Sequence, residues 1–217
     1  MMRRLLKHIG IWCAVLLPVC GAAAGAPDDG GWSYRGFSGG MALHTGWVGG
    51  ASVRLSTPDG RTLPPQAVRG LPYGIGGGIR FHFGEHLRVG TEGYGTYLDY
   101  GTEGSRLGVG WGGLLADWQW HAGRFHPFAG ITVGGGGVRN ITLSVPPADD
   151  FVTDEDVSFR KYGFAAVAPF IGTEFVVTDR VRLLFKADWL MNVGRPQPDF
   201  PHGPRIYVGF IFYHCGD

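Results

Sequence analysis

The chain has 217 residues, of which 19 are basic and 18 acidic, giving a formal net charge of +1. This length fits one domain, and so small a net charge argues against a protein that binds nucleic acid. Glycine is frequent at 39 residues, yet aromatic residues make up 13% of the chain. Glycine weakens helices and soluble strands, whereas aromatic side chains need an apolar environment. We therefore expect a β-barrel wall with small residues facing a crowded lumen and large apolar ones facing lipid.

Residues 1–24 have the pattern of a cleaved export signal. A basic start is followed by a short apolar run and by small residues that end at Ala24. This order is typical of a signal peptide, and the run is too short for a retained membrane anchor. The segment around Cys20 also resembles a lipoprotein cleavage site, at which that cysteine would be acylated, although the two residues before it fit poorly. Residues 25–35 then form a lead-in to the barrel.

The placement of the cysteines excludes several chemistries. Two of the three cysteines, Cys13 and Cys20, fall in the predicted signal, which leaves Cys215 alone in the mature chain. A single cysteine forms no internal disulfide and supplies no cysteine-based zinc cage. After the signal, no apolar run approaches the roughly 18 residues of a membrane helix, so a membrane span must consist of strands.

Three short turns, at 84–86, 121–124 and 178–180, predict three β-hairpins. Each turn fixes a cross-strand register that separates apolar from charged residues, and a slip of one residue would mix the two sets. The predicted apolar pairs include Ile79–Thr91, Phe81–Val89, Ala116–Ala129, Trp118–Pro127, Thr173–Phe185 and Phe175–Leu183.

Two further alternating segments complete an all-β, antiparallel up-and-down transmembrane β-barrel over residues 36–214. Short turns alternate with long connections, which places the turns and both termini on the periplasmic side. The alternative is a soluble barrel or sandwich, which would carry its polar residues outside. Glycines crowded among the charged residues argue against a solvated exterior. The eight predicted strands are 36–48, 73–83, 87–99, 106–120, 125–139, 162–177, 181–192 and 205–214.

These residues resemble the small eight-stranded outer-membrane barrels typified by the membrane domain of OmpA and by OmpX. The chain is more similar to a bacterial group of such barrels that carries the strings SGGMALHTG, GIGGGIRFHFGEHLRVGTEGY, GWGGLLADW and GPRIYVGFIFYH. The resemblance implies a barrel in the outer membrane of a Gram-negative bacterium and no particular activity. The chain departs from the usual terminal aromatic residue, since Tyr213 is followed by four more residues.

The face opposite the apolar one carries charged and histidine side chains. An eight-stranded barrel is only wide enough for side chains to fill it, so we expect these groups to pair across the lumen. In the predicted registers Arg80 lies diagonal to Glu92, and Arg182 lies diagonal to Glu174. An ion path or proton relay is the rival interpretation, and it would need continuous water. The predicted lumen set is His44, Arg80, His82, Arg88, Glu92, Asp117, Glu174, Arg182, Lys186 and Asp188.

Two weaker motifs are candidate ligand sites. Residues 108–113 match the dinucleotide pattern GxGxxG, but the alternation of a strand continues after them, so no helix N-terminus is present to hold a phosphate. An acidic stretch can gather divalent cations that bridge lipopolysaccharide phosphates, although it lacks the spacing of a calcium loop and also fits a solvated external loop. Its residues are Asp149, Asp150, Asp154, Glu155 and Asp156.

A structural or surface-interaction role in the outer membrane is the favoured function, with neither cofactor nor metal. The first alternative is a lipid A-modifying acyl hydrolase or acyltransferase, for which Ser38, His44 and Ser52 are candidates without an assignable carboxylate. The second is a small porin, or an adhesin that acts through 49–72 and 140–161. The expected partners are outer-membrane lipid, lipopolysaccharide and the outer-membrane assembly machinery.

Overall fold

A computed structural model describes residues 33–53, 60, 62, 66–101, 104–143 and 157–215 of the chain. In this part of the chain no helix is long and apolar enough to cross a membrane. The predicted signal peptide and the acidic stretch 149–156 lie outside the described residues. The strands are β1 (Tyr34–Gly46), β2 (Val48–Val53), β3 (Gln66–Gly70), β4 (Tyr73–Phe83), β5 (Leu87–Asp99), β6 (Arg106–Gln119), β7 (Phe125–Leu143), β8 (Val157–Val176), β9 (Val181–Asn192) and β10 (Gly203–Cys215).

Eight of these strands form a closed antiparallel barrel in the order β1-β10-β9-β8-β7-β6-β5-β4. The barrel closes between the first and last strands, where Met41 lies opposite Phe210. A closed barrel leaves no free sheet edge, so each wall strand forms backbone hydrogen bonds on both sides, as a sheet within a bilayer requires. The predicted fold class, an up-and-down barrel of eight strands, is confirmed.

The outer surface is apolar between two belts of aromatic side chains. Strand β4, with 11 residues, spans about 25 Å at a rise of about 3.3 Å per residue and a tilt near 40°. That height matches the apolar band of a barrel in a membrane. One belt contains Trp47, Tyr73, Tyr97 and Trp189, the other contains Tyr34, Trp118, Trp120 and Phe125, and exposed apolar residues between them include Met41, Leu43, Ile75, Leu114, Ile131, Val133, Ile171, Phe185, Ile206 and Val208.

The three tight turns and both ends of the barrel sequence lie at one end of the barrel, which we call the turn end, and the longer connections lie at the other, the loop end. The predicted registers of the first and third hairpins are confirmed, with Phe81 opposite Val89 and Phe175 opposite Leu183. The predicted register of the second hairpin is wrong by two residues, because Trp118 pairs with Ala129.

The second hairpin differs because its ladder continues further than predicted. Ala122 and Phe125 still form a bridge, so the turn itself contains only two residues. Gly123 adopts a positive φ of 63° within this turn, a conformation that glycine reaches without strain. A shift of two residues leaves every side chain on its predicted face, since the period of a strand is two.

Inward glycines mark places where the backbone or a side chain of a neighbouring strand leaves no room for a further side chain. A Cβ atom at Gly76 would overlap Tyr94, and one at Gly90 would overlap the carbonyl oxygen of Ile79. On the outer face, by contrast, a Cβ atom at Gly110 would meet nothing within 4 Å. Crowding therefore accounts for the glycines that alternate with the charged residues of the lumen.

The loop end contains structure that the sequence did not predict. Strands β2 and β3 form a separate antiparallel hairpin within the connection expected to be a loop. Val68 of this hairpin is 1% exposed and packs in an apolar cluster with Leu98, Leu107 and Val138 of the wall. Strands β7 and β8 also extend beyond their predicted bounds, to Leu143 and from Val157. The hairpin and the extended strands partly cover the loop end.

Candidate functional site

The half of the lumen nearer the turn end contains an ion-pair cluster centred on Arg88. Its Nε lies 2.5 Å from Asp117 Oδ1, and its Nη1 lies 2.5 Å from Glu174 Oε1. Arg80 Nε donates to the other oxygen of Asp117 at 3.1 Å, and the hydroxyl of Tyr213 donates to Glu174. All five side chains are buried. Charge-assisted hydrogen bonds of this kind hold each side chain in one position. We call this group, together with Arg182, the lower tier.

The half of the lumen nearer the loop end contains a second cluster, the upper tier. Lys186 Nζ donates to both carboxylate oxygens of Glu92 at 2.7 Å. The guanidinium of Arg205 forms two parallel hydrogen bonds with Asp188, at 2.8 and 2.9 Å. Tyr207 donates its hydroxyl proton to the same carboxylate at 2.8 Å. These residues come from strands β5, β9 and β10, so the tier crosses the lumen from wall to wall.

Further ion pairs connect the tiers to each other and to the turn end. Arg80 Nη2 lies 3.9 Å from Glu92 Oε2, a contact that joins the two tiers. Arg182 Nη1 lies 3.4 Å from Glu174 Oε2. These are the two diagonal neighbours expected from the register. The charged side chains thus form one connected network along the lumen.

Aromatic rings fill the space between the charges. Lys186 Nζ lies 4.6 Å from the ring centre of Phe170 and 4.9 Å from that of Tyr207. The rings of Tyr94 and Tyr207 are 4.8 Å apart, and Tyr94 also donates a hydrogen bond to Glu92. Cation–π contacts of this geometry stabilise a buried cation. Across the middle of the barrel, rings and ion pairs therefore occupy the lumen.

The charges of the two tiers do not balance. The upper tier has two cations and two carboxylates, whereas the lower tier has three cations and two carboxylates. The excess of one positive charge therefore lies toward the turn end. The cations are Arg80, Arg88, Arg182, Lys186 and Arg205, and the carboxylates are Glu92, Asp117, Glu174 and Asp188.

The turn end opens into a cavity of about 940 Å³, which we call the vestibule. Its inner wall includes Arg88, Arg182 and Gln119, and its rim includes Arg180. His121 also lines it, and burial together with the neighbouring His86 and Arg182 lowers the pKa of this imidazole. This shift disfavours a positive charge on His121, so the permanent positive charges of the lining are those of the arginines.

The connection between β9 and β10 packs into the loop end. Phe200 is fully buried, and its ring centre lies 5.0 Å from that of Phe164 in the wall. Next to it, Asp199 accepts a hydrogen bond from Asn140 at 3.2 Å and lies 3.2 Å from Arg160 Nη1. The connection thus holds an aromatic ring and a carboxylate in the mouth of the barrel.

Nine of the ten residues in the predicted lumen set are buried, and the tenth, Arg182, is partly exposed toward the vestibule. The ion-pair network brings eight of them together. His44 and His82 lie apart from it, hydrogen-bonded to the hydroxyls of Thr96 and Ser38 at 2.8 Å each.

Sequence reasoning missed several members of the network. Arg205 and Tyr207 stand at alternate positions of the last strand, and that alternation was a usable signal. Thr132 of β7 contacts Glu92 of β5, and Tyr213 of β10 contacts Glu174 of β8, in each case past an intervening strand. Tyr94 contacts Glu92 from two residues away on the same strand. A register between adjacent strands does not reveal contacts across a lumen.

The candidate catalytic residues lie in different surroundings from those an acyl-transfer site needs. Ser38 is fully buried in the lumen, where His82 is its hydrogen-bond partner. His44 is bonded to Thr96, far along the same strand from Ser38. The side chain of Ser52 and the acidic stretch 149–156 lie outside the described residues. Among the described residues, no three His, Cys, Asp or Glu side chains are placed to hold a metal ion.

A closed wall of eight antiparallel strands, an apolar band outside and a charged interior together define a small outer-membrane β-barrel. In this class the short turns and the termini face the periplasm, so we expect the turn end to be periplasmic and the loop end to be extracellular.

Comparison with solved structures agrees with this class. The structure is similar to the crystal structure of Neisserial surface protein A (NspA), with a TM-score of 0.50 and 13% identity, over 82% of this chain and 95% of that one. It is also similar to outer membrane protein OprG from Pseudomonas aeruginosa, with a TM-score of 0.51 and 10% identity, over 84% of this chain and 94% of that one. At these identities the likeness concerns the fold alone. No protein-family model and no curated protein matches the chain.

Proposed function

We propose that this protein is a closed, non-conducting outer-membrane barrel that supports an interaction surface at its extracellular end. The observation that carries this proposal is the lumen network. Ion pairs and hydrogen bonds cross the lumen in two tiers, and rings such as Tyr94 and Tyr207 fill the space around them. Solute passage would need these buried groups to separate, at the cost of leaving charges unpaired.

The extracellular end supports the second half of the proposal. The hairpin of β2 and β3, the extended ends of β7 and β8 and the buried Phe200 give this end a packed structure of its own. A rigid wall that presents shaped loops is a common way to build a binding surface. Outer-membrane lipid, lipopolysaccharide and the assembly machinery are the partners proposed for the wall itself.

Conductance across a planar bilayer tests the closed lumen. The wild-type barrel is expected to show no stable current steps. A Tyr94→Ala/Tyr207→Ala variant, which removes two facing rings from the lumen, is expected to leak. The matched control is Tyr73→Ala/Tyr97→Ala, because these two rings also face each other, 6.3 Å apart, but on the outer surface. Stable open-channel currents from the wild type would overturn the proposal.

Cysteine labelling on intact cells tests the orientation. In a Cys215→Ser background, Arg195→Cys at the loop end is expected to react with a membrane-impermeant maleimide. Arg180→Cys at the turn end is expected to react only after the outer membrane is permeabilised. Both positions are exposed. If only Arg180→Cys were labelled on intact cells, the orientation would be the opposite of the one proposed. If neither variant were labelled, the proposal that the barrel is exposed at the cell surface would be wrong.

A further inference from the structure

We propose that the periplasmic vestibule binds a small multivalent oxyanion, a phosphate ester or a polycarboxylate, through arginine donors of the lower tier and the rim. The first argument is charge. The lower tier holds three arginines against two carboxylates, so it carries one positive charge in excess, and Arg182 shares Glu174 with Arg88. An excess charge in a low-dielectric lumen is costly unless an anion lies close to it. The vestibule is the open space next to this excess.

Unused hydrogen-bond donors provide the second argument. Arg88 Nη2, Arg182 Nε and Gln119 Nε2 are buried and have no hydrogen-bond partner among the described residues. All three side chains belong to the wall of the vestibule, and the side chain of Arg88 is only 1% exposed. Guanidinium groups bind oxyanions through paired N–H donors, which makes phosphate and carboxylate the matching acceptors.

The rim of the vestibule is electrically neutral. Arg35 and Arg180 stand at the opening, together with the acidic Glu85 and Asp179. The net positive charge next to the vestibule is therefore the one excess charge of the lower tier, in which Asp117 and Glu174 offset two of the three arginines. A concave wall with a net positive charge raises the local concentration of anions.

The size of the vestibule indicates a ligand larger than a single phosphate ion. Its volume of about 940 Å³ lies in the upper part of the range of small-molecule sites. Because the lumen above it is closed by the two tiers, a ligand would enter and leave from the periplasm. The site is therefore a blind pocket and not part of a path through the membrane.

Calorimetric titration of the folded barrel in detergent micelles tests the proposal, with inorganic phosphate, pyrophosphate and citrate as separate probes. We expect saturable binding of one anion per barrel, tighter for pyrophosphate or citrate than for phosphate. The stronger of these two probes distinguishes a phosphate-type ligand from a carboxylate-type one. Arg182→Gln is expected to weaken binding about tenfold or more, the loss that follows from removing a charged donor.

Two further variants keep the test decisive if Arg182→Gln folds poorly. Arg180→Gln removes an exposed rim charge, and we expect a loss of affinity of a few-fold. Arg106→Gln is the matched control, since it removes one exposed arginine at the opposite end of the barrel, where it pairs with Asp99. If Arg180→Gln and Arg106→Gln lost the same affinity for the anions, the effect would depend only on the net charge of the protein, and the proposed site would be wrong. Absence of saturable binding for all three probes would also overturn it, whether or not the barrel conducts.

Discussion

Replacing Lys186 by methionine removes the cation that neutralises Glu92 in the middle of the lumen. The ammonium lies 2.7 Å from both carboxylate oxygens, and neither side chain is more than 1% exposed. At an effective dielectric constant of about 20, the attraction at this distance is about 6 kcal/mol, much of which offsets the desolvation of both ions. Glu92 would keep hydrogen bonds from Thr132 and Tyr94 and the more distant Arg80 at 3.9 Å. We expect the free energy of unfolding to fall by about 3–5 kcal/mol.

The double variant Lys186→Met/Glu92→Gln gives the sharper result. It removes both charges while keeping side chains of similar size, so no carboxylate is left unpaired. Its loss of stability should be smaller than the sum of the two single losses by about 2 kcal/mol or more. Urea unfolding of the barrel in lipid vesicles, followed by tryptophan fluorescence, measures all four proteins. Losses that simply add would show that the two side chains do not interact, and the network interpretation would be wrong.

Two further predictions concern the faces of the wall. Phe185→Arg places a charge on the outer face between the aromatic belts and should lower the free energy of unfolding by about 2–4 kcal/mol in the same assay. Met191→Arg, which lies beyond the belt on the same strand, should lower it by only about 0–1 kcal/mol. Equal costs would mean that the band is misplaced. Gly136→Ala should destabilise by about 1–3 kcal/mol because its Cβ would overlap the strand that contains Trp111, while Gly110→Ala should be neutral because nothing lies within 4 Å. A neutral Gly136→Ala would show that the wall has room at this position.

Much of the barrel wall was predictable because its information is local. Short turns fix a register, and the period of two then assigns every residue of both strands to a face. The hairpin around Gly123 shows the limit of this reasoning. The ladder there runs to Ala122 and Phe125, so the predicted pairing was off by two residues although both faces were right.

Contacts across the lumen could not be predicted from the sequence in this way. Arg88 reaches Glu174, 86 residues further along the chain, and Lys186 reaches Glu92, 94 residues away. The pairing of cations with carboxylates depends on the curvature of the closed barrel and on the lengths of the side chains. The register between two adjacent strands determines neither of these. The hairpin of β2 and β3 was missed for a related reason, because its strands have only six and five residues and no clear alternation.

The charged lumen also helps to specify the fold. Buried ion pairs are often no more stabilising than apolar replacements of the same size, so stability alone is a weak reason for so many of them. A slip of β9 by one residue would turn Lys186 toward lipid near the middle of the bilayer, at a cost of about 2–4 kcal/mol for that residue alone. An apolar lumen would carry no such penalty, since both faces of each strand would suit lipid. The network that fills the lumen therefore also disfavours misregistered barrels.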